Sequence, residues 1–173
     1  MEQNGQDAMG LIKKSFDLLL QDLEVALENY YSGRLVSTVV FGSVGRGTPR
    51  PDSDVDILIV ANPLPNGRMR RVQEFLAIEE RLGRRLKFLE RRGFSVTLAP
   101  IFRTPAEVKR GSLLYLDMIH DGRILYDPTG FWRTYIKCLK RKLHALGAKR
   151  IVQGERWYWD LKPDYRPGEI FEI

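Results

Sequence analysis

The chain has 173 residues, enough for one domain with a hydrophobic core and few for two. No apolar run approaches the roughly 20 residues of a membrane span, and the first residues lack the basic and apolar regions of a signal peptide, so we expect a cytoplasmic protein. One cysteine and two distant histidines exclude an internal disulfide and disfavour a His or Cys metal site. The net charge of +6 favours polyanionic partners or an acidic protein, and a surface of ion-pair networks is the equally weighted alternative.

The first two thirds of the chain alternate helical and strand patterns. Apolar residues recur at helical spacing over 7–31, and Gly33 follows as a stop signal, which predicts a long helix. The β-branched segments RLVSTVVF and VDILIV predict two strands on either side of a glycine-rich loop. A second long helix is predicted over 68–91, and FSVTLAPIF predicts a third strand.

The remaining third begins with a predicted helical turn at Pro105 and a helix in SLLYLDMIH. A short strand, RILYD, and a last long helix from Pro128 to near Gly147 follow. The tail from 148 to 173 is aromatic, contains proline and has no helical period, so it predicts an extended or hairpin segment that covers the core or forms an interface. We therefore predict one domain over 1–147, with the tail 148–173 packed on it.

The loop between the first two predicted strands, GSVGRG, has the composition of a phosphate-binding loop. Gly42, Gly45 and Gly47 permit close backbone approaches, so that consecutive N–H groups can point at phosphate oxygens. Ser43 adds a hydroxyl donor, and Arg46 adds a guanidinium with fixed geometry. The alternative is a hairpin turn whose glycines satisfy backbone geometry alone.

Two carboxylates, Asp54 and Asp56, stand where the second predicted strand begins. On an extended chain residues two apart leave the same face, so both side chains can reach one site. Two such carboxylates repel each other unless a cation lies between them. Hard oxygen ligands of this kind suit Mg²⁺, which completes its shell with water and substrate phosphates. A phosphate cradle beside a magnesium site predicts binding of a nucleoside triphosphate.

The segment FGSVGRGTPRPDSDVDILIV resembles the signature of the DNA polymerase β nucleotidyltransferase superfamily, and within it the small prokaryotic minimal nucleotidyltransferases. The family pattern is Gly-Ser followed after about ten residues by Asp-x-Asp, which here are Gly42-Ser43 and Asp54-x-Asp56. The resemblance implies an α/β (α+β) fold with a mixed sheet flanked by helices. It also implies that the Gly-Ser loop leads into a helical turn or loop before the Asp-x-Asp strand.

The resemblance implies a reaction as well. Divalent metal ions, Mg²⁺ or Mn²⁺, bind a triphosphate such as ATP, a hydroxyl attacks the α-phosphorus, and pyrophosphate leaves. Asp54 and Asp56 would then be the catalytic metal ligands. The triphosphate would be bound by the loop residues Gly42, Ser43, Gly45 and Arg46. The acceptor hydroxyl belongs to a protein, a small molecule or RNA, and the resemblance further implies an antitoxin-like role beside a small helical HEPN-type protein.

The sequence departs from the family at a third carboxylate, which active members carry on a neighbouring strand. The segment GFSVTLAP places Thr97 at that position, and a hydroxyl is neither an anionic ligand nor a strong base. Glu107 and Asp117 are candidate replacements that the sequence does not place. Two functions therefore stay open: a nucleotidyltransferase, slow without that acid, and a catalytically weak or inactive module that binds nucleotide or a partner protein. A third, RNA binding, has the arginines of the second long helix in its favour.

Overall fold

The described strands form a four-stranded sheet and a separate two-stranded sheet. The computed structural model describes residues 2–154 and 156–171, with side chains described over 9–154 and 157–171. The chain divides into two units, Met1–Phe131 and Trp132–Ile173. The predicted boundary at 147 and the packing of the tail stay predictions.

The first unit contains the sheet and most of the helices. A single turn of 3₁₀ helix, Ser32–Arg34, joins the first helix to the first strand. The elements are α1 (Glu2–Tyr31), β1 (Leu35–Phe41), α2 (Gly42–Arg46), β2 (Val55–Ala61), α3 (Arg68–Glu90), β3 (Leu98–Arg103), α4 (Pro105–Lys109), α5 (Leu114–Asp121) and β4 (Arg123–Tyr126).

The four-stranded sheet has the strand order β3-β2-β1-β4 and is mixed, as predicted. β1 is antiparallel to both β2 and β4, whereas β2 and β3 are parallel. The parallel pair is connected through α3, the crossover helix that such a pair requires. A mixed sheet with helices beside it is the fold class that the sequence predicted.

Both faces of the two central strands are buried, which explains why β2 reads as a continuous apolar run. Ile57 and Ile59 belong to a core cluster with the apolar stripes of α1 and α3. Leu58 and Val60 alternate with them and are fully buried as well. By the same alternation Asp56 lies on the face of β2 that points away from that cluster.

The predicted third strand is shorter than expected, because it begins at Leu98 and not at Phe94. The Phe94 N–H donates to the Leu89 carbonyl at the end of α3, and the Ser95 N–H donates to the Pro51 carbonyl. These bonds hold the backbone of Phe94 and Ser95 outside the ladder, although the composition of the segment is typical of a strand.

The second unit contains α6 (Phe131–Ala145), β5 (Lys149–Gln153) and β6 (Arg156–Asp160). The two strands pair antiparallel, so the hairpin alternative predicted for the tail is present. No described helix in either unit combines the length and apolar character that would let it cross a lipid bilayer.

Candidate functional site

The glycine-rich loop folds as a short helix between β1 and β2. Gly42 adopts φ +68°, a left-handed conformation, and the chain then forms α2 up to Arg46. Gly47, also left-handed at φ +77°, ends the helix, and its N–H donates to the Val44 carbonyl at 3.1 Å. The helical turn that the family resemblance implied after Gly-Ser is therefore present.

Gly42 lies directly against the carboxylate of Asp56. Phe41 at the end of β1 is the register partner of Asp56 on β2, so the turn at Gly42 runs past this acid. A Cβ on Gly42 would overlap the Asp56 Oδ2 atom. Only glycine both adopts this φ without strain and leaves room for the acid. The structure thus brings together two of the predicted site residues.

Gly45 makes a second close approach, toward α5. A Cβ there would overlap the carbonyl oxygens of Asp121 and Val40. This glycine lets α2 pack between β1 and the C-terminal end of α5. Its role in the described structure is therefore to position the loop.

Arg46 forms an ion pair with Asp121, with 2.6 Å between Nη1 and Oδ2. Asp121 is buried, with 5% of its side chain exposed, at the C-terminal end of a helix, where the helix dipole disfavours a carboxylate. A cation must therefore accompany it. Burial and the Asp54 charge raise the pKa of Asp56, and the positive charge of Arg46 opposes that rise, which indicates that this charge reaches the carboxylate site.

Ser43 belongs to a small hydroxyl network. Its Oγ donates to Ser53 Oγ at 3.1 Å, and Ser53 Oγ accepts from the Arg50 N–H at 2.8 Å. The Thr48 N–H donates to the Ser43 carbonyl at 2.9 Å. The network therefore connects α2 to the loop segment that leads into Asp54.

Asp54 and Asp56 differ in environment. Asp54 is exposed just before β2, whereas Asp56 is half-buried in the strand. Burial raises the pKa of Asp56, and the negative charge of Asp54 raises it further. A divalent cation would relieve both effects. Two carboxylates beside a cradle that a Cβ would fill fit Mg²⁺ or Mn²⁺ with phosphate oxygens as the other ligands.

A third acid is missing from this site. Over 9–154 and 157–171, no group of three His, Cys, Asp or Glu side chains could hold a metal ion. In the parallel ladder the register partner of Asp56 is Ala99, and the Val55 N–H donates to the Thr97 carbonyl at 2.8 Å. Continuing that register places Thr97 level with Asp54 and on the same face as Ala99.

Glu107, one candidate replacement, belongs to another part of the structure. Its carboxylate forms a bidentate pair with Arg71, at 2.8 and 2.9 Å, and accepts from the Thr104 N–H at 2.7 Å. These bonds lower the pKa of Glu107 to about 2. The pair lines a cavity of about 410 Å³ at the C-terminal end of β3. That cavity lies at the end of the parallel pair opposite to Asp56.

The other candidate, Asp117, lies in the first turn of α5, partly buried. Sequence reasoning missed two residues that shape the site, Ser53 and Asp121. Ser53 stands in the quoted motif and was detectable as a loop hydroxyl. No local sequence pattern indicates the role of Asp121, because its partner Arg46 lies 75 residues away in the chain.

The chain is similar to known proteins over most of its length. The model of a family described as "Nucleotidyltransferase domain" matches residues 23–125. The protein named "Putative protein adenylyltransferase" from Methanocaldococcus jannaschii is 26% identical over 147 residues, which cover 84% of this chain and 95% of that one.

Solved structures with some likeness come from toxin–antitoxin systems. A toxin–antitoxin crystallised with AMP-PNP is 19% identical, with TM-score 0.40, over 78% of this chain and 90% of that one. The toxin–antitoxin MntA-HepT is 17% identical, with TM-score 0.39, over 76% and 90%. Scores at this level add nothing to the assignment, which rests on the family model.

Proposed function

Because the chain belongs to the nucleotidyltransferase domain family, we propose that it transfers a nucleoside monophosphate from a triphosphate to a hydroxyl acceptor. The observation that carries the proposal is the contact between Gly42 and the Asp56 carboxylate. It joins the phosphate-binding turn to the acid that would hold the metal. Adenylate is the proposed group, since the relative from Methanocaldococcus jannaschii is named for adenylyl transfer.

In this proposal Asp54 and Asp56 hold Mg²⁺ or Mn²⁺. A bound divalent ion neutralises phosphate charge and stabilises the attacking and leaving oxygens. Gly42 and Ser43 bind the β and γ phosphates, Gly42 by leaving space beside Asp56 and Ser43 through its hydroxyl. The Arg46 side chain is 34% exposed although it pairs with Asp121, and it supplies positive charge for the leaving pyrophosphate.

A second candidate function is a module that binds the nucleotide without transferring it. The observation that favours it is that no third acid joins Asp54 and Asp56 among the described side chains, since Ala99 and Thr97 stand where the register brings β3 beside the two aspartates. Neither side chain can accept the proton of an acceptor hydroxyl as a carboxylate would. The helical HEPN-type partner implied by the family resemblance stays a prediction.

Incubation with each of the four triphosphates, labelled at the α-phosphate, separates the two functions. Transfer predicts pyrophosphate release that depends on Mn²⁺ or Mg²⁺, is strongest with ATP, and is lost in Asp56→Asn. If the protein retains the label on a filter and no pyrophosphate is released, the result would favour the binding module. Equal release by wild type and Asp56→Asn would contradict the proposed site.

A further inference from the structure

Helix α6 carries an excess of positive charge that nucleotidyl transfer does not explain. It has five Lys and Arg side chains and no Asp or Glu, in a chain whose net charge is +6. All five are exposed. They are Arg133, Lys137, Lys140, Arg141 and Lys142.

Four of these cations form a stripe along one side of the helix. Arg133, Lys137, Lys140 and Arg141 follow one another at intervals of four, three and one residues, so they share one face. Lys142 lies off this stripe. No acidic partner of Lys137 or Lys140 occurs among the residues with described side chains. Like charges at this spacing repel each other, and a polyanion along the stripe would relieve the repulsion.

The burial of the apolar side of α6 indicates which kind of polyanion can bind to the stripe. Trp132, Leu139 and Leu143 are buried in the structure, at 1%, 4% and 4% exposure. An amphipathic helix that binds a lipid surface needs its apolar face free to enter the headgroup region. This face is already occupied, so the stripe suits a soluble polyanion with regularly spaced charges, such as a nucleic-acid backbone.

The hairpin of the same unit adds aromatic side chains. Trp157 and Trp159 are half-buried and share one face of the hairpin with Arg150 of β5. The Arg150 guanidinium lies 4.8 Å from the centre of the Trp157 ring. Tyr158, on the other face, is 51% exposed. The exposed ring of Tyr158 is the kind of surface on which unstacked bases rest in single-strand binding proteins.

We propose that the second unit, through the α6 stripe and the β5–β6 hairpin, binds single-stranded RNA. RNA supplies both features at once, a phosphate backbone for the stripe and unpaired bases for the Tyr158 ring. The inference does not rest on nucleotidyl transfer. Its test contains neither triphosphate nor divalent metal, so that its failure and the failure of the proposed function are distinguishable.

The test is fluorescence anisotropy of a labelled 12-nucleotide RNA with the full chain in EDTA, over a series of KCl concentrations. RNA binding should weaken in a triple variant that carries Lys137→Gln, Lys140→Gln and Arg141→Gln. The slope of log affinity against log salt concentration should fall in magnitude by about 2, because each phosphate contact on a single strand contributes about 0.7. Tyr158→Leu should weaken binding by about tenfold and leave the slope unchanged.

A matched control removes the same charge from the first unit. Lys13, Lys14 and Lys87 are exposed on α1 and α3, and their joint replacement by Gln should leave RNA affinity within about twofold. Thermal melts establish that both triple variants fold. An equal loss in the control would show that net charge alone attracts RNA. The wild-type chain is also titrated with the same RNA annealed to its complement, and equal affinity for that duplex would remove the role of Tyr158. Either result overturns the proposal, as does the absence of binding at low salt.

Discussion

The backbone of Gly42 touches the Asp56 carboxylate so closely that no side chain fits between them. The relationship has two origins, the left-handed φ of +68° at Gly42 and the register that pairs Phe41 with Asp56. A residue with a Cβ at position 42 would have to displace the acid. The proposed metal ligand and the proposed phosphate turn are therefore a single structural unit.

The first prediction compares Gly42→Ala with Gly93→Ala. Gly93 also has a left-handed φ, +83°, but no atom lies within 4 Å of its Cβ position. Backbone strain should cost each variant about 1–2 kcal/mol of unfolding free energy in urea titrations. Only Gly42→Ala should also lose ATP affinity, by about tenfold or more in calorimetry. Equal ATP affinity for the two variants would mean that the contact with Asp56 has no part in binding.

The second prediction concerns repulsion between Asp54 and Asp56. Burial and the Asp54 charge raise the pKa of Asp56, so the native state holds this proton more tightly than the unfolded state does. Wild-type stability without metal should therefore fall as the pH rises through the range in which Asp56 ionises. Asp56→Asn should be more stable than wild type in EDTA at pH 7, and only wild type should gain melting temperature with Mg²⁺. A variant that gains as much from Mg²⁺ as wild type would refute the metal assignment.

The third prediction separates the two roles of Arg46. Arg46→Met should leave Asp121 buried without this partner and cost on the order of 3 kcal/mol in urea denaturation. Adding Asp121→Asn removes the charge and should restore most of that stability. ATP affinity should stay low in the double variant, because the guanidinium is still absent. Recovery of ATP affinity together with stability would show that Arg46 acts only by positioning α2.

Parts of this site could be predicted from sequence and parts could not. Local signals sufficed for α1, β1, β2 and α3, because periodicity and β-branched composition are carried by neighbouring residues. The residues 94–97 were wrongly predicted as strand, since the bonds of Phe94 to Leu89 and of Ser95 to Pro51 outweigh their propensity. The ion pair of Arg46 with Asp121 depends on packing between distant elements, which no local pattern encodes.

The fourth prediction uses Glu107, which the structure removes from the site. Its pKa of about 2, against the usual 4.5, follows from the Arg71 pair, and the Glu107 side chain is 24% exposed. The pair therefore stabilises the fold fully above pH 4.5, and this stabilisation is lost as the pH falls toward 2. Glu107→Gln should lower the unfolding free energy by on the order of 3 kcal/mol at pH 7, with a smaller difference at pH 3.

Nucleotide binding provides the control for Glu107. The Arg71–Glu107 pair lies at the opposite end of the parallel strands from Asp56, so Glu107→Gln should keep wild-type ATP affinity at 20 °C. A loss of metal-dependent ATP binding in a folded Glu107→Gln variant would return Glu107 to the list of candidate third acids.

The last prediction concerns the missing third acid and compares two positions on β3 and just before it. Thr97, level with Asp54, is exposed, whereas Ala99, the register partner of Asp56, is half-buried. Thr97→Asp should place a carboxylate beside the other two at the open end of the strands. Without metal the added repulsion should lower the melting temperature, and Mn²⁺ should raise it by more than in wild type.

Nucleotide transfer, measured as pyrophosphate release with an acceptor hydroxyl present, should accelerate because a general base typically contributes about 10²–10⁴-fold. Ala99→Asp is the matched comparison, with the same charge two residues further along the chain and level with Asp56. If Ala99→Asp gains the larger Mn²⁺ response, the third-acid position is 99; if neither variant exceeds wild type, this face of β3 does not border the metal site.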